Sequence, residues 1–409
     1  MGYIDDYQYL TDKFDPRKQC IPVPEFQLEV HNLDFHSNSY TILPGEEPFR
    51  CSDHHLSFPD LPPAVEKLSD QLNSVGREID TRITENNHFK YFVFKPTGPV
   101  RQNGVIILLH GLNEKRWEKY LPWSKALVEL TGKAVIMFPI AFHMNRAPST
   151  WSNPRLMKEL SKKRKQLFPT IEGSSFANAA ISTRLQLLPQ RFFWSGLQTY
   201  FDIIQLCLQI REGRHPWITP QASIDFFGYS IGAFLTEILL MSDPEGMFGH
   251  SRLFMFCGGP PLNRMRPVSK YILDSKADTA LYEFFINHLE NELERNPRLS
   301  HFFSRAHPEG NVFKCMLDYH KMKDFREEKI SSRKARIAAL VLEKDQVIPP
   351  YEVINTLQGD KRNIDVKIEI MDFPYRYIHE NPFPINKKSW KEVDRSFRIV
   401  FNRAGGFLA

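Results

Sequence analysis

The sequence predicts an α/β protein built on a mostly parallel, doubly wound sheet, with helical insertions and an N-terminal extension. Short continuous runs of Val, Ile, Leu and Phe alternate with longer amphipathic segments after residue 86, which is typical of a parallel sheet covered by helices on both faces. The 409 residues are 42% apolar and 25% charged, so the chain can bury a large core. This composition excludes wholesale disorder, a fibrous repeat and a disulfide scaffold.

Each predicted element has its own local signal. Short apolar or alternating runs indicate strands, and apolar residues at helical spacing indicate helices. The predicted strands cover residues 89–95, 105–109, 134–138, 223–227, 253–257, 337–342 and 366–371. The predicted helices cover residues 61–75, 119–130, 197–210, 231–241 and 390–402.

Three segments fall outside this alternation. Residues 146–193 and 260–333 are too long for ordinary connections between core elements, so we expect cap insertions with structure of their own. In an α/β fold they would lie over the carboxyl ends of the strands, where ligands bind. Residues 1–85 are rich in proline and are predicted to form an N-terminal extension with short elements, ahead of a main domain over residues 86–409.

Charge, cysteine content and missing motifs exclude several kinds of partner. A net charge of +5 gives no reason to expect a nucleic-acid partner. Five widely spaced cysteines without a C-x-x-C pair argue against a disulfide framework and against a zinc site. Because metal and nucleotide motifs are also missing, we expect no metal and no cofactor. The N-terminus does not resemble a signal peptide and no apolar run reaches membrane-spanning length, so we expect a cytoplasmic protein without a transmembrane segment.

The sharpest chemical signal is the pentapeptide Gly228-Tyr229-Ser230-Ile231-Gly232, which follows a predicted strand and opens a predicted helix. In this context the serine occupies a tight, strained turn, and the flanking glycines leave room for neighbouring backbone. The hydroxyl then projects above the sheet, which makes Ser230 the candidate nucleophile.

A second signal is the strand that ends in a His-Gly pair at His110, upstream of the serine turn. A backbone N–H of this loop and one of the residue after the nucleophile would face a developing oxyanion. The predicted donors are the amides of Leu112 and Ile231. His110, His143 and Tyr229 are candidate substrate-binding residues, although packing or hydrogen bonding within the fold explains His110 and His143 more simply.

An acid and a histidine follow two later strands. Asp345 follows the strand at 337–342 and precedes Val-Ile-Pro-Pro, and His379 lies between the last strand and the closing helix. A carboxylate at this place can orient an imidazole and stabilise its charged form, while the imidazole takes the serine proton. Glu343 is nearby, but it alternates with Leu342 on the strand, which favours the loop residue Asp345.

These four motifs, in the chain order Ser, Asp, His, resemble the α/β-hydrolase superfamily over about residues 88–405. The segments HGLNEKRWEKYLPW, FPIAFHMNRAPSTW and FCGGPPLNRM further resemble an uncharacterised bacterial family within it, which brings no assigned substrate. His110-Gly111-Leu112-Asn113 departs from the HGGG loop of lipases. The resemblance therefore implies the simpler oxyanion loop found in many esterases, thioesterases and peptidases.

The resulting hypothesis is a serine hydrolase that cleaves a carboxylic ester or thioester of a small-molecule acyl substrate. Ser230 would form the acyl-enzyme, with His379 as general base and Asp345 as orienting acid. An acyltransferase or a peptidase on the same three residues is an alternative, as is a non-catalytic binding protein that keeps the fold. The acyl length, the head group and the oligomeric state are left open.

Overall fold

A nine-stranded sheet lies at the centre of the computed structural model, which describes residues 2–45, 47–59, 74–76 and 78–409. The strand order is β1-β2-β5-β7-β6-β8-β9-β10-β11, and β3 and β4 form a separate hairpin. The strands are β1 (Cys20–Val23), β2 (Leu28–His36), β3 (Phe49–Arg50), β4 (Ser57–Phe58), β5 (His88–Pro96), β6 (Gln102–Leu109), β7 (Ala134–Met137), β8 (Ile218–Tyr229), β9 (Leu253–Phe256), β10 (Ile337–Leu342) and β11 (Lys367–Met371).

The sheet is parallel from β7 to β11 and antiparallel at its other edge. Strands β7, β6, β8, β9, β10 and β11 pair in parallel, whereas β1, β2, β5 and β7 pair in antiparallel fashion. The central strands are buried on both faces, which explains why their sequences are continuously apolar. The prediction of a mostly parallel α/β sheet is confirmed.

Helices cover both faces of this sheet. One face packs against the N-terminal helix, the helix between β6 and β7 and the closing helix, and the other packs against the helices on either side of β8. The helices are α1 (Tyr3–Lys13), α2 (Thr84–Asn87), α3 (Leu121–Thr131), α4 (Pro154–Leu167), α5 (Ala179–Leu187), α6 (Arg191–Arg211), α7 (Ile231–Ser242), α8 (Ser275–Tyr282), α9 (Leu289–Arg295), α10 (Pro297–Phe302), α11 (Pro308–Cys315), α12 (Lys323–Ser331), α13 (Pro350–Leu357) and α14 (Trp390–Leu408). None of these described helices is both long and apolar enough to cross a bilayer.

Side chains on alternate positions of each central strand face opposite helical layers. In β6, Ile107 packs toward α6 and α7, whereas Ile106 packs toward α3 and α14. Both residues are fully buried. This alternation is the doubly wound arrangement that the apolar runs predict.

The first 85 residues contribute directly to the sheet. Strand β2 pairs with β5 over its whole length, and β1 extends the same edge. Helix α1 packs on α3 and α14, where the Tyr3 ring lies 4.4 Å from the Phe397 ring. The domain boundary at 85/86 therefore stays a prediction, with two sheet strands on its N-terminal side. The helix predicted at 61–75 lies largely outside the described residues.

The two segments predicted as insertions contain helices of their own. Residues 146–193 include α4, α5 and the start of α6, and residues 260–333 include α8 to α12. The two segments are joined by a buried ion pair, in which Arg164 of α4 donates two hydrogen bonds of 2.7 and 2.8 Å to Asp274 before α8. Their role as a cap over a site stays a proposal.

Candidate active site

Ser230 occupies the turn between β8 and α7 in a strained backbone conformation. Its φ of 56° and ψ of −121° are rare for a residue with a side chain. A Cβ on Gly232 would lie 2.3 Å from the Leu109 carbonyl oxygen, and one on Gly228 would lie 2.5 Å from the Ala233 Cα. Only glycine fits at these two positions, which explains the G-x-S-x-G spacing in physical terms.

The sheet register brings the His110 loop to this serine turn. Strands β6 and β8 are parallel neighbours, and Leu109 pairs with Gly228 near their carboxyl ends. The loop after β6 and the turn after β8 therefore leave the same edge side by side. The predicted oxyanion donors come from these two connections: Leu112 lies in the loop, and the Ile231 amide lies in the first turn of α7, where helical N–H groups lack intrahelical acceptors.

Ser230, His379 and Asp345 are joined by two short hydrogen bonds. The distance from Ser230 Oγ to His379 Nε2 is 2.7 Å, and that from His379 Nδ1 to Asp345 Oδ2 is also 2.7 Å. All three residues are buried. In this geometry Nδ1–H donates to the carboxylate, which leaves Nε2 free to accept the serine proton.

The other carboxylate oxygen of Asp345 is held by backbone. Asp345 Oδ1 accepts hydrogen bonds of 2.9 Å from the amides of Val347 and Ile348. The Cys257 thiol, at the end of β9, lies beside the same carboxylate, and burial together with this negative charge raises the pKa of Cys257. Cys257 is therefore a protonated, buried side chain rather than a nucleophile.

Tyr229 and Lys119 support the backbone around His379. The Tyr229 hydroxyl donates to the His379 carbonyl oxygen, and the two rings stack with centroids 5.5 Å apart. Lys119 Nζ donates to the carbonyl of Glu380 at 3.1 Å. Tyr229 is almost fully buried, so these contacts favour a positioning role over the predicted substrate contact.

Both ring nitrogens of His110 form hydrogen bonds with backbone groups. Its Nδ1–H donates to the Gly111 carbonyl at 2.8 Å, and its Nε2 accepts from the Ile140 amide at 3.0 Å. Burial lowers the pKa of His110 well below its ordinary value, with nearby His143 acting in the same direction. His110 has no exposed surface, so the simpler interpretation as packing beneath the loop is the one that its contacts support.

A cavity lies beside the Leu112 loop and under the first insertion. Leu112, Lys115 and His143 line it on the loop side. His143 is buried, and its Nε2 lacks a hydrogen-bond partner among the described residues. Ser230 is not a lining residue. The remaining walls are mainly apolar and include Phe142, Trp151, Ile181, Leu185 and Phe192.

Asn113 is a site residue that the sequence reasoning missed. It adopts a left-handed φ of 61°, and its side-chain amide donates to the carbonyls of Ala177 at 3.0 Å and Tyr271 at 2.5 Å. Ala177 belongs to the first insertion and Tyr271 to the second. The residue type indicates only that Asn tolerates a left-handed conformation. It does not predict the contacts with Ala177 and Tyr271.

Strand order and the serine turn define an α/β-hydrolase fold. The chain belongs to a family of unknown function, DUF6051, whose family model matches residues 1–409. Comparison with curated proteins gave no significant match.

Three solved structures with similar folds span two kinds of enzyme. A thermostable esterase from Pseudomonas putida ECU1011 is 12% identical, with 100% of this chain and 91% of that chain covered and a TM-score of 0.41. Carboxyl esterase 2 from the mycorrhizal fungus Tuber melanosporum is 10% identical, with coverages of 79% and 82% and a TM-score of 0.41. Prolyl oligopeptidase B from Galerina marginata is 11% identical, with coverages of 94% and 37% and a TM-score of 0.42. At these values no activity is transferred to this chain.

Proposed function

We propose that this protein is a serine hydrolase that cleaves a carboxylic ester or thioester through an acyl-enzyme on Ser230. The observation that carries the proposal is the continuous hydrogen-bonded chain from Ser230 Oγ through His379 to Asp345. A serine in an ordinary turn needs neither a strained backbone nor an imidazole and a carboxylate hydrogen-bonded in series behind its hydroxyl. Ser230 has both features. Strain of this kind is concentrated at functional sites.

In the proposed reaction, His379 Nε2 takes the Ser230 proton while Oγ attacks the acyl carbonyl carbon. The amides of Leu112 and Ile231 stabilise the oxyanion. The same proton then passes from His379 to the leaving alcohol or thiol, which breaks the bond to the acyl carbon. Water, deprotonated by His379, attacks the acyl-enzyme and releases the carboxylic acid, which restores Ser230.

We place the acyl chain in the cavity beside Leu112. The predominance of aliphatic and aromatic walls favours an apolar acyl group over a charged one. Lys115 is one of several polar lining residues on the loop side, together with Asn113, Glu114 and His143, and burial lowers the pKa of Lys115 to about 8. Its ammonium donates to the carbonyl of Ala177 at 2.7 Å, so it also fixes the cavity wall.

The proposal is tested by labelling with a fluorophosphonate probe, which reacts with an activated serine. We expect wild-type protein to be labelled and Ser230→Ala to be unlabelled, since no other described serine has an imidazole and carboxylate behind it. Ser152→Ala is the matched control, because Ser152 lines the cavity but lies outside the triad. Folded wild-type protein that resists the probe, or a Ser230→Ala variant that still labels, would contradict the proposal.

A panel of p-nitrophenyl esters of increasing acyl length then defines the substrate. A kcat/KM that rises with chain length is expected from an apolar cavity, because each buried methylene contributes about 0.8 kcal/mol to binding. The same panel with added alcohol or amine acceptors, and with peptide anilides, separates hydrolysis from acyl transfer and from peptidase activity. If the labelled protein hydrolyses anilides faster than esters, the proposed activity is that of a peptidase and not that of an esterase.

A further inference from the structure

A cluster of three histidines and one cysteine lies between the β3–β4 hairpin and the second insertion. It consists of Cys51, His54, His301 and His307, whose ligand-type atoms all lie within 4.8 Å of one another. None of these residues belongs to the proposed catalytic chain. Cys51, His301 and His307 are buried, and His54 is exposed.

We propose that Cys51, His54, His301 and His307 bind one structural zinc ion. A thiolate with three imidazoles is a donor set that zinc binds tetrahedrally, and four protein ligands are typical of a structural rather than a catalytic site. Calcium and magnesium prefer oxygen ligands, which this cluster lacks.

The separations between the donor atoms fit such an ion. With Zn–S and Zn–N bonds of about 2.3 and 2.05 Å, tetrahedral angles place a sulfur and a nitrogen ligand about 3.6 Å apart. The Cys51 Sγ lies 3.4 Å from His54 Nδ1 and 3.7 Å from His307 Nε2. The two Nε2 atoms of His301 and His307 are 2.9 Å apart, against about 3.3 Å in a tetrahedral site. Small side-chain adjustments therefore suffice.

A carboxylate fixes the orientation of one ligand. His307 Nδ1 lies 2.8 Å from Glu309 Oε1, so its Nδ1–H donates to the carboxylate and its Nε2 lone pair points into the cluster. Carboxylate–histidine–metal arrangements of this kind recur at zinc sites.

The local fold prepares the ligand spacing on both sides. On the hairpin, the Cys51 amide donates to the Leu56 carbonyl at 2.8 Å and closes the turn that carries Cys51 and His54. On the insertion, His301 lies in α10 and His307 directly precedes α11. The Phe58 ring packs on the His301 ring at 4.9 Å. The ion would therefore tie residues 51–54 to two helices of the second insertion.

A second group of possible ligands serves as a contrast. Cys20, Glu29 and His31 also lie close together, but Lys95 Nζ contacts Glu29 Oε1 at 2.5 Å. A buried ammonium already neutralises that carboxylate and would repel a cation. Cys20 is exposed, so Cys20→Ser is the matched control for loss of a thiol elsewhere.

The first test measures metal in the full-length protein purified from zinc-supplemented medium. We expect elemental mass spectrometry to give a zinc-to-protein molar ratio of about one, because the four residues form a single site. Cys20→Ser should keep this zinc, and Cys51→Ala/His307→Ala should lose it. A folded wild-type protein without stoichiometric metal, a stoichiometric metal other than zinc, or a double variant that keeps wild-type zinc would overturn the proposal.

A second test remains informative where the double variant fails to fold. Wild-type protein is stripped with a chelator and titrated with Co²⁺, which reports tetrahedral geometry through intense visible bands and thiolate ligation through a near-ultraviolet charge-transfer band. Both features are expected at one equivalent, and added Zn²⁺ should abolish them. Weak octahedral cobalt bands alone, without the thiolate band, would overturn the assignment.

Discussion

At the scale of single residues, Ser230 shows how the chain holds an unfavourable conformation at the place where chemistry is proposed. Its left-handed φ costs about 1–3 kcal/mol relative to a relaxed backbone. Gly228 and Gly232 pack so closely against neighbouring backbone that a side chain at either position would clash. The strained backbone places the Ser230 hydroxyl within hydrogen-bond distance of His379. The surrounding packing offsets the free-energy cost of the strain.

Asp345→Asn tests the role of the acid. The asparagine oxygen can keep the bonds to the amides of Val347 and Ile348, but its NH₂ would face His379 Nδ1 and force the proton onto Nε2. The imidazole could then no longer accept the Ser230 proton. We expect kcat for a p-nitrophenyl ester to fall by about 10⁴-fold.

The thermal midpoint of Asp345→Asn serves as the control for this measurement. An unchanged midpoint with a loss of activity would locate the defect in the imidazole tautomer. A loss of less than tenfold in kcat would show that Asp345 does not orient His379 in the reacting enzyme.

The sequence predicted the residues of the proposed site better than it predicted their supporting contacts. Ser230, Asp345 and His379 each follow a strand of the parallel sheet, so their convergence followed from fold class and chain order. The backbone contacts of His110 and the links made by Asn113 depend on partners far away in the chain. No local pattern encodes such partners.

At the scale of elements, a buried ion pair joins the two segments that were predicted as insertions. Arg164 and Asp274 are both fully buried, and the pair connects α4 with the N-terminus of α8. Asp274 also accepts a hydrogen bond from the Ala277 amide and so caps α8. Helix α4 thus carries one arginine, Arg164, that packs inward, whereas its lysines at 158, 162, 163 and 165 are exposed.

Asp274→Asn should destabilise the protein by about 3–5 kcal/mol, because it leaves the Arg164 guanidinium buried without a counter-charge. The helix cap itself should survive, since asparagine is also a good N-cap residue. Denaturant unfolding followed by circular dichroism measures the change in the free energy of unfolding.

Glu159→Gln on the same helix is the matched control for this prediction. Its ion pair with Arg155 spans 3.7 Å on an exposed surface, so we expect a change below about 0.5 kcal/mol. Equal effects of the two substitutions would mean that the Arg164–Asp274 pair contributes no more than a surface contact.

The predicted elements differ from the observed ones where tertiary packing decides. The closing helix was predicted to end at residue 402 but continues to Leu408, because Gly405 packs closely against Leu130 and offsets its poor helix propensity. Strands β1 and β2 were not assigned to the sheet. Strand β2 pairs with β5 and β1 pairs with β2, so the sheet edge joins distant parts of the chain, which a local period cannot reveal.

At the scale of the whole molecule, one buried carboxyl group couples stability to pH. Glu237 lies fully buried in α7, and neither of its oxygens has a hydrogen-bond partner among the described residues. Burial raises the pKa of Glu237 well above its ordinary value of 4.5, although Arg326 acts in the opposite direction. The folded protein therefore holds this group protonated where the unfolded chain has lost the proton.

This raised pKa predicts a loss of stability toward alkaline pH. Its contribution is fully present below pH 4.5 and decreases by about 1.4 kcal/mol per unit above it, until the folded-state pKa is reached. We expect Glu237→Gln to be more stable than wild type at pH 8, with a difference that shrinks toward pH 5. Denaturant unfolding at several pH values measures this difference.

Glu328→Gln in α12 changes an exposed glutamate and should leave the pH dependence as in wild type. A Glu237→Gln variant with the same pH dependence as wild type would contradict the prediction. It would mean that Glu237 is ionised in the folded protein.

Long-range assembly also sets the limit of what the sequence could predict about metals. The widely spaced cysteines argued against a zinc site, because the usual zinc motif contains a C-x-x-C pair within a few residues. Cys51 and His307 lie 256 positions apart and meet only when the hairpin packs on the second insertion. A split ligand set of this kind is invisible until the topology is known.

The links made by Asn113 couple access to catalysis in the proposed enzyme. Because the Asn113 side chain donates to a carbonyl of each predicted insertion, a displacement of either segment would also displace the loop that carries Leu112. An opening that admits substrate would therefore also withdraw an oxyanion donor. In the proposed enzyme, the Leu112 donor would therefore be in place only while both segments are docked on this loop.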